Sequence, residues 1–252
     1  MAAEVPSIDA LGQFKLHTVL GPIGGSVNFT QSNLMMVVAG GLLLAMLYVG
    51  ARPRAVVPGR LQALAELSYD FIYGMCAEQI GDAGKKFFPL VFTLFFFILF
   101  GNVLGLLPFS FTFTSHIAVT AALAIMVIVL VTVVALAYHG LHFFTYFFPA
   151  GAPKLLAPII VPVEIISYLS RPVSLSIRLF ANMVAGHVML EVFASFMVMM
   201  AGALGAIGVI GAVGPLALNV ALIGFELLVA FLQAYVFAIL TCIYLHDAVH
   251  LH

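Results

Sequence analysis

Two consecutive runs of the sequence, residues 87–107 and 117–138, contain no charged side chain and are apolar almost throughout. About 20 apolar residues in an α-helix cross the ~30 Å hydrocarbon core of a bilayer, so each run is long enough to span it. The whole chain is 64% hydrophobic and 8% charged, whereas soluble domains are about half apolar and about a quarter charged. The sequence therefore predicts an all-α, polytopic membrane protein.

Hydropathy divides residues 1–252 into five predicted spans within a single membrane domain, after an external N-terminal segment, residues 1–32. Residues 58–80 interleave charged side chains with leucines, which is the amphipathic pattern of a helix that lies at the membrane interface. A short polar turn makes residues 87–138 a hairpin. The predicted spans are residues 33–51, 87–107, 117–138, 155–200 and 216–246.

The last two spans form a pair, residues 155–246, in which each helix is longer than a bilayer requires. As a helix, residues 155–200 would be about 69 Å long at ~1.5 Å per residue, roughly twice the hydrocarbon thickness. Such a helix must tilt steeply or bend, and Pro158, Pro162 and Pro172 favour bending. The glycine-rich stretch GAIGVIGAVGP is predicted to be the turn before the last helix. We therefore expect two long, tilted C-terminal helices.

The distribution of basic residues predicts the orientation. Five of them lie in the connection after the first span and Lys154 lies before residues 155–200, whereas the turns at 108–116 and 201–214 have none. Because Lys and Arg are enriched in cytoplasmic loops, the N-terminus is predicted to be external and the C-terminus cytoplasmic. The five are Arg52, Arg54, Arg60, Lys85 and Lys86.

Arg178 is the residue that the apolar pattern explains least. A charge near the bilayer centre costs at least a few kcal/mol, so it usually faces a partner or water and marks function. Snorkelling to the interface is a plausible interpretation for Arg171, Glu164 and Glu191, but it is a poor one for Arg178. At about 100° per residue, Glu164, Arg171, Arg178 and Asn182 fall within an arc of about 40° on one helix.

The last helix carries a matching polar stripe. Asn219, Glu226 and Gln233 recur every seven residues, and Tyr244 falls on the same stripe. If the two helices are antiparallel, residues at equal depth have position numbers with a nearly constant sum. This pairs Arg178 with Gln233, and His187 with Glu226. The alternative is a packed polar seam between two membrane helices, but such a seam does not require an arginine.

His187 and Glu226 could pass protons, because an environment can move the pKa values of both groups toward neutrality, whereas a guanidinium stays protonated. Arg178 and His187 are nine residues apart, which places them on opposite sides of a regular helix. An unbroken helix would therefore present the arginine to one partner while the histidine lines a separate cavity.

Three blocks of the sequence are similar to one known family. They are FGNVLGLLPFSFTFTSH at the hairpin, VEIISYLSRPVSLSIRLFANMVAGH on the first long helix and FLQAYVFAILTCIYL on the second. With these blocks the chain resembles subunit a of the F-type ATP synthases, the membrane stator subunit that conducts protons. The resemblance implies a non-catalytic subunit without a cofactor, in a bacterial inner membrane, with the proton as the translocated ion.

The resemblance also implies roles for particular residues. The arginine of the family's RLFxN motif corresponds to Arg178, and the family's other functional positions fall on both long helices. Where some members have an aspartate in the hairpin turn, this chain has Gly105, so no proton role is implied there. The implied polar neighbours of the arginine are Asn182 and Gln233, the outer half channel has Asn219, Glu226 and His187, and the inner half channel has Glu164 and Tyr244.

The partners implied are a rotor ring of small c subunits, the b subunits of a peripheral stalk, the remainder of the synthase and membrane lipid. The net charge of −1 gives no indication of nucleic-acid binding.

Other functions have weaker support in the sequence. A haem-binding membrane subunit would use paired histidines, and His139 and His142 are close, but their spacing suits stacking better than two facing ligands. A secondary transporter would also place charges at the midplane, although repeated halves are not evident. The C-terminal HDAVHLH could bind a metal, but no metal site is predicted. The sequence lacks the P-loop, GxSxG and HExxH motifs of enzymes.

Overall fold

A computed structural model describes most of the chain, with gaps at both ends and in several connections. The described residues are 12–16, 18–23, 27–51, 59–107, 110–148, 156–203 and 205–250. Arg52, Arg54 and Lys154 lie outside these ranges, as do residues 1–11, 17 and 24–26 of the predicted N-terminal segment.

Six α-helices make up the described fold, and five of them are long and apolar enough to cross a membrane. The exception is α2, the predicted interfacial helix, so the structure confirms an all-α polytopic membrane protein. A small antiparallel hairpin of β1, Thr18–Ile23, and β2, Val27–Thr30, precedes the first helix. The helices are α1 (Gln31–Ala51), α2 (Arg60–Ile80), α3 (Gly84–Gly105), α4 (Ile117–His139), α5 (Ala157–Ala203) and α6 (Gly205–Val249).

The long pair α5 and α6 forms the most extensive helix contact of the fold. Helix α5 has 47 residues and continues through Pro162 and Pro172; at ~1.5 Å per residue it is about 70 Å long. Helix α4 packs on α5, and α3 packs on α6, so the pair is covered on one side by the hairpin. The predicted length of the first long helix was therefore close, whereas α6, with 45 residues, begins well before the predicted residues 216–246.

The predicted glycine-rich turn at residues 205–215 is wrong, because α6 begins at Gly205 and continues through Pro215. A Cβ on Gly211 would lie 2.8 Å from Met200 Cε, so this glycine lets α6 approach α5 closely. Small residues commonly serve such contacts between membrane helices. The stretch therefore continues the helix, and at Gly211 it also allows close packing on α5.

The interior is built mainly from α2, α3, α4, α6 and one face of α5. Phe95, Leu179 and Phe237 are among its largest fully buried side chains. The two cysteines are free, and Cys76 Sγ on α2 lies 3.9 Å from Cys242 Sγ on α6. Helix α2 thus packs on the membrane-spanning bundle with one face, while the leucines of its other face remain exposed.

The turn between α3 and α4 is buried against α3. A Cβ on Gly101 would lie 2.8 Å from Phe113 Cε1, and a Cβ on Gly105 would lie 2.7 Å from Thr112 Cβ. Because these glycines are four residues apart, they share one face of α3, and the turn fits against that face. The turn is therefore part of the protein interior, with the side chains of residues 111–115 buried.

Candidate functional site

His187 on α5 and Glu226 on α6 lie next to each other, as the antiparallel pairing predicted. His187 Nε2 is 3.8 Å from Glu226 Oε1, and their side chains are only 12% and 4% exposed. Both carboxylate oxygens of Glu226 are buried, and neither accepts a hydrogen bond from another described residue. A buried carboxylate of this kind is costly to keep charged, which makes it a natural position for a proton to bind and leave.

Gly186 is the reason that Glu226 can approach α5 so closely. A Cβ at this position would lie 2.5 Å from Glu226 Oε1 and 2.8 Å from its Cδ. A side chain at position 186 would therefore displace the carboxylate. The glycine keeps the acid and His187, its neighbour in sequence, at one depth between the helices.

Two residues from other parts of the chain complete the surroundings of His187. Thr112 Oγ1, in the α3–α4 turn, is 2.7 Å from His187 Nε2, a hydrogen bond whose direction depends on the tautomer of the imidazole. The ring of Phe14 meets the imidazole edge to face, with a centroid distance of 6.3 Å. The histidine is thus contacted by the N-terminal segment, the hairpin turn and α6.

The amides form a second contact between the long helices. Asn182 Nδ2 donates a hydrogen bond to Gln233 Oε1 at 2.7 Å, and Gln233 is buried. The predicted partner of Gln233 was Arg178, but the bonded residue is Asn182, one turn further along α5. A near-constant sum of position numbers fixes depth to about one helical turn and leaves the direction of each side chain open.

Arg178 is exposed on α5, and no hydrogen bond or ion pair joins it to another described residue. Leu179 and Met183, next to it on the helix, are fully buried, so the guanidinium points away from the interior. Because α5 is unbroken between Arg178 and the largely buried His187, the two residues face different surroundings. This is the arrangement that their spacing of nine residues predicted.

A cavity of about 330 Å³ lies between α5 and α6, bordered by the Asn182–Gln233 pair and by Glu226. Its polar lining comes from Asn182, Glu226 and Gln233, and the remaining lining side chains are apolar. A larger cavity of about 590 Å³ lies between α1 and α2, where Glu66 and Asp70 are among its lining residues. The smaller cavity is the better candidate, because it brings together residues from both polar stripes.

Asn219 lies on α6 seven residues before Glu226 and is half-buried. Its Oδ1 atom is buried and accepts no hydrogen bond from a described residue. An amide oxygen in this position can accept a hydrogen bond from water or from a passing hydronium ion. The three polar residues of the α6 stripe therefore all avoid full exposure, as expected for a stripe that faces α5.

Tyr244 lies near the end of α6, in a cluster with Arg171. The guanidinium carbon of Arg171 is 5.0 Å from the centre of the Tyr244 ring, and Arg171 Nη1 is 3.3 Å from Asp247 Oδ2. Glu164 is half-buried on α5, and no hydrogen bond or ion pair joins it to Tyr244 among the described residues. The ion pair of Arg171 with Asp247 was not predicted, and it explains this arginine without snorkelling.

The two histidines considered for haem lie in different elements. His139 ends α4, and His142 lies in the short 3₁₀ segment that follows it. His139 Nε2 donates to the backbone carbonyl of Val249 at 3.1 Å, so this nitrogen carries a proton and is not free to bind iron. Among the described residues, no three His, Cys, Asp or Glu side chains form a group that could hold a metal ion.

Thr112 and Gly186 are site residues that sequence reasoning missed. Gly186 is an isolated glycine inside a helical pattern, which is a signal of close packing. The signal for Thr112 is weaker, since it consists of hydroxyl residues alternating with phenylalanines after two glycines four residues apart. Neither pattern identifies the residue that it contacts on another helix.

Five apolar helices, with a buried acid, an imidazole and amides between the two longest, define a multi-pass membrane protein with a polar site at membrane depth, the kind of site that ion pathways use. The family model described as ATP synthase A chain matches residues 33–246, and the chain belongs to this family.

Relatives support the same assignment over the whole length. The chain is 73% identical to ATP synthase subunit a of Granulibacter bethesdensis, with 100% of both chains covered. It is 67% identical to ATP synthase subunit a of Gluconacetobacter diazotrophicus, over 96% of this chain and 97% of the relative. With ATP synthase subunit a of Gluconobacter oxydans the identity is 63%, over the same shares.

Proposed function

We propose that this chain is the proton-conducting stator subunit of an F-type ATP synthase, in which two offset half channels load and unload protons on carboxylates of a rotor ring. The observation that carries the proposal is the placement of two kinds of site on one continuous helix. A buried acid and imidazole lie between α5 and α6, and an exposed guanidinium lies on another face of α5. The family membership supports the same conclusion.

In the proposed mechanism, protons enter from the external side through Asn219, Glu226 and His187. Asn219 and Glu226 are seven residues apart on α6, so they lie two turns apart along the same stripe. Glu226 binds the proton, and His187, 3.8 Å away, provides a second base on the opposing helix. A proton relay needs such groups within reach of each other, either directly or through one water molecule.

The proton then neutralises a rotor carboxylate, which can cross the lipid-facing part of the ring path only in its neutral form, because a charge in hydrocarbon is costly. After rotation the proton leaves toward the cytoplasm past Glu164 and Tyr244. These two residues lie on the halves of α5 and α6 that are remote from His187 and Glu226.

Arg178 separates the two paths in this mechanism. Its exposed guanidinium attracts the ionised rotor carboxylate, which lowers the pKa of that carboxylate and forces the proton off before it can pass. Because a guanidinium stays protonated, Arg178 cannot pass the proton on and so blocks a direct leak. Moving one charge across the membrane yields about 2.3 kcal/mol per ~100 mV, so several protons are needed for each ATP.

The chain itself performs no ATP chemistry in this proposal and needs no cofactor. Its partners are the rotor ring of small c subunits, the b subunits of the peripheral stalk, the rest of the complex and membrane lipid. We place it in the bacterial inner membrane, with its N-terminus external and its C-terminus cytoplasmic. The orientation rests on the basic residues of the connections, of which Arg60, Lys85 and Lys86 are described.

The test is Arg178→Ala in the assembled complex, in inverted membrane vesicles. Two rates are measured: ATP-driven acidification of the vesicles and passive proton flux under an imposed gradient. We expect pumping to be lost while passive flux is retained or raised. Arg60→Ala is the control, because it removes an exposed arginine of α2 that lies outside both proposed paths. Normal pumping by Arg178→Ala would refute the proposed function.

A further inference from the structure

We propose that Thr112 is a positioning residue for proton uptake, whose hydroxyl holds the His187 imidazole beside Glu226. The inference rests on the proposed function and extends it to the α3–α4 turn, which has no assigned role there. Thr112 Oγ1 is 2.7 Å from His187 Nε2, and the same nitrogen is 3.8 Å from Glu226 Oε1. One ring atom is thus held between the hydroxyl and the acid.

The turn that carries Thr112 is itself fixed. Thr114 Oγ1 donates to Asn102 Oδ1 at 2.8 Å, and Asn102 Nδ2 donates to the backbone carbonyl of Ala230 at 3.3 Å. Ser115 Oγ donates to the carbonyl of Thr112 at 2.6 Å. These bonds connect the turn with α3 and with α6 one turn beyond Glu226, so the Thr112 hydroxyl has a defined position relative to the acid.

Helix α3 makes the room that this position requires. Thr112 lies against Gly105, where a Cβ would be 2.7 Å from Thr112 Cβ. A residue larger than glycine at position 105 would push Thr112 away from His187. The absence of a side chain at Gly105 therefore allows the Thr112 hydroxyl to reach His187.

A hydroxyl suits this position in both charge states of the histidine. It can donate its proton to Nε2 when the imidazole is neutral, and it can accept the Nε2 proton when the imidazole is charged. The ring can therefore gain and lose a proton without turning away from Glu226. A methyl group in place of the hydroxyl would leave the Nε2 atom of the largely buried imidazole without this partner in either state.

The experiment uses the assembled complex in inverted vesicles, with rates of ATP-driven acidification and of proton-driven ATP synthesis normalised to the amount of the chain. Thr112→Val removes the hydroxyl at nearly constant volume, and Thr112→Ser restores it. We expect Thr112→Val to slow both rates by about fivefold, as the loss of one hydrogen bond predicts. We expect Thr112→Ser to remain within about twofold of the unmodified chain, since it keeps the bond.

A double-mutant cycle with His187→Ala distinguishes positioning from a general effect on folding. If Thr112 acts through His187, Thr112→Val causes no further loss in the His187→Ala background. Thr241→Val is the matched control, because Thr241 is fully buried and its hydroxyl bonds only the Phe237 carbonyl of its own helix among the described residues. If Thr112→Val does not accumulate in membranes, Thr112→Ala takes its place with the same expectations.

Full rates in Thr112→Val, with slow rates in His187→Ala, would overturn the inference and leave the proposed function intact. An additive loss in the double variant, or no recovery with Thr112→Ser, would also overturn it. Full rates in His187→Ala would remove the inference together with the proposed external path, while the separate Arg178→Ala experiment would still decide the stator function.

Discussion

Gly186 and Glu226 fit together so closely that a single methyl group on the glycine would lie 2.5 Å from the carboxylate oxygen Oε1. The contact joins the middle of α5 to the middle of α6, at the depth of His187. It is a steric relationship, whereas the neighbouring Asn182–Gln233 contact is a hydrogen bond. The two contacts determine how far apart the long helices lie at the candidate site.

Gly186→Ala should therefore move the Glu226 carboxylate away from His187. We expect proton-driven ATP synthesis to fall by about tenfold, since overpacking of this kind costs ~1–3 kcal/mol. Gly202→Ala is the control on the same helix, because a Cβ there would meet no atom within 4 Å. Equal rates in the two variants would mean that the close fit has no part in proton transfer.

Glu226→Gln keeps the shape of the side chain and removes its ability to bind and release a proton. We expect slower proton uptake and slower ATP synthesis under an imposed gradient, with the complex assembled to normal amounts. Glu191→Gln is the control, because Glu191 is an exposed carboxylate one turn beyond His187 on α5. An unchanged rate of synthesis in Glu226→Gln would contradict the assignment of this acid to the path.

Gly105→Ala should displace Thr112, since the new methyl group would occupy the space that the threonine fills. We expect a loss of proton translocation similar in size to that of Thr112→Val. A glycine of α2, Gly74, provides the control, because a Cβ there would meet nothing within 4 Å. Rates of acidification in vesicles report the difference, and a normal rate in Gly105→Ala would show that Thr112 can move without consequence.

Asp247→Asn removes the partner of Arg171 near the end of α6. The two side chains are 20% and 32% exposed, so the ion pair is partly solvated and its loss should cost at most ~1 kcal/mol. We expect a slightly lower thermal midpoint of the purified complex and nearly normal pumping. A pumping defect as large as that of Glu226→Gln would place Asp247 in the proton path.

The folding stability of the protein should depend on pH through His116, at the end of the α3–α4 turn. Burial lowers the pKa of this histidine below its ordinary value of 6.5, and its ring stacks on Phe111 at 5.2 Å. A lowered pKa means that the unfolded chain binds the proton more readily. The stability that the neutral His116 contributes is therefore fully present above pH 6.5, and it is lost as the pH falls below that value toward the lowered pKa.

Thermal unfolding of the purified complex between about pH 5.5 and 7.5 tests this expectation. His116→Phe can stack on Phe111 in the same way and does not titrate in this range. The unmodified chain should lose stability on acidification relative to this variant. If the thermal midpoints of the two proteins fell equally with decreasing pH, the role of His116 would be contradicted.

Much of the helical architecture follows from the sequence. The uncharged runs predicted α3 and α4 to within a few residues, because an apolar stretch long enough to cross a membrane has few other ways to satisfy its backbone. The glycine-rich start of α6 was misread, since glycine can end a helix or allow close packing, and the sequence does not show the facing helix, whose Met200 lies against Gly211.

The candidate site could be predicted only where its residues lie on regular helices. Helical periodicity and antiparallel pairing were sufficient to bring His187 to Glu226, because both residues lie on regular helices whose geometry is known in advance. They placed Gln233 opposite Arg178, one turn from its actual partner, Asn182. The contact of Thr112 with His187 comes from an irregular turn, and no periodic pattern gives the direction of a side chain there.

Helix α5, continuous from Ala157 to Ala203, can also be considered as a mechanical beam. Under the proposed function, the rotor applies its sideways load at Arg178, which lies close to the midpoint, where an unsupported beam would bend most. Leu175, Leu179 and Met183 are buried at the same level, and a close-packed interior is hardly compressible. The bundle therefore braces the beam at the loaded point, and torque passes into the neighbouring helices with little deflection of the guanidinium.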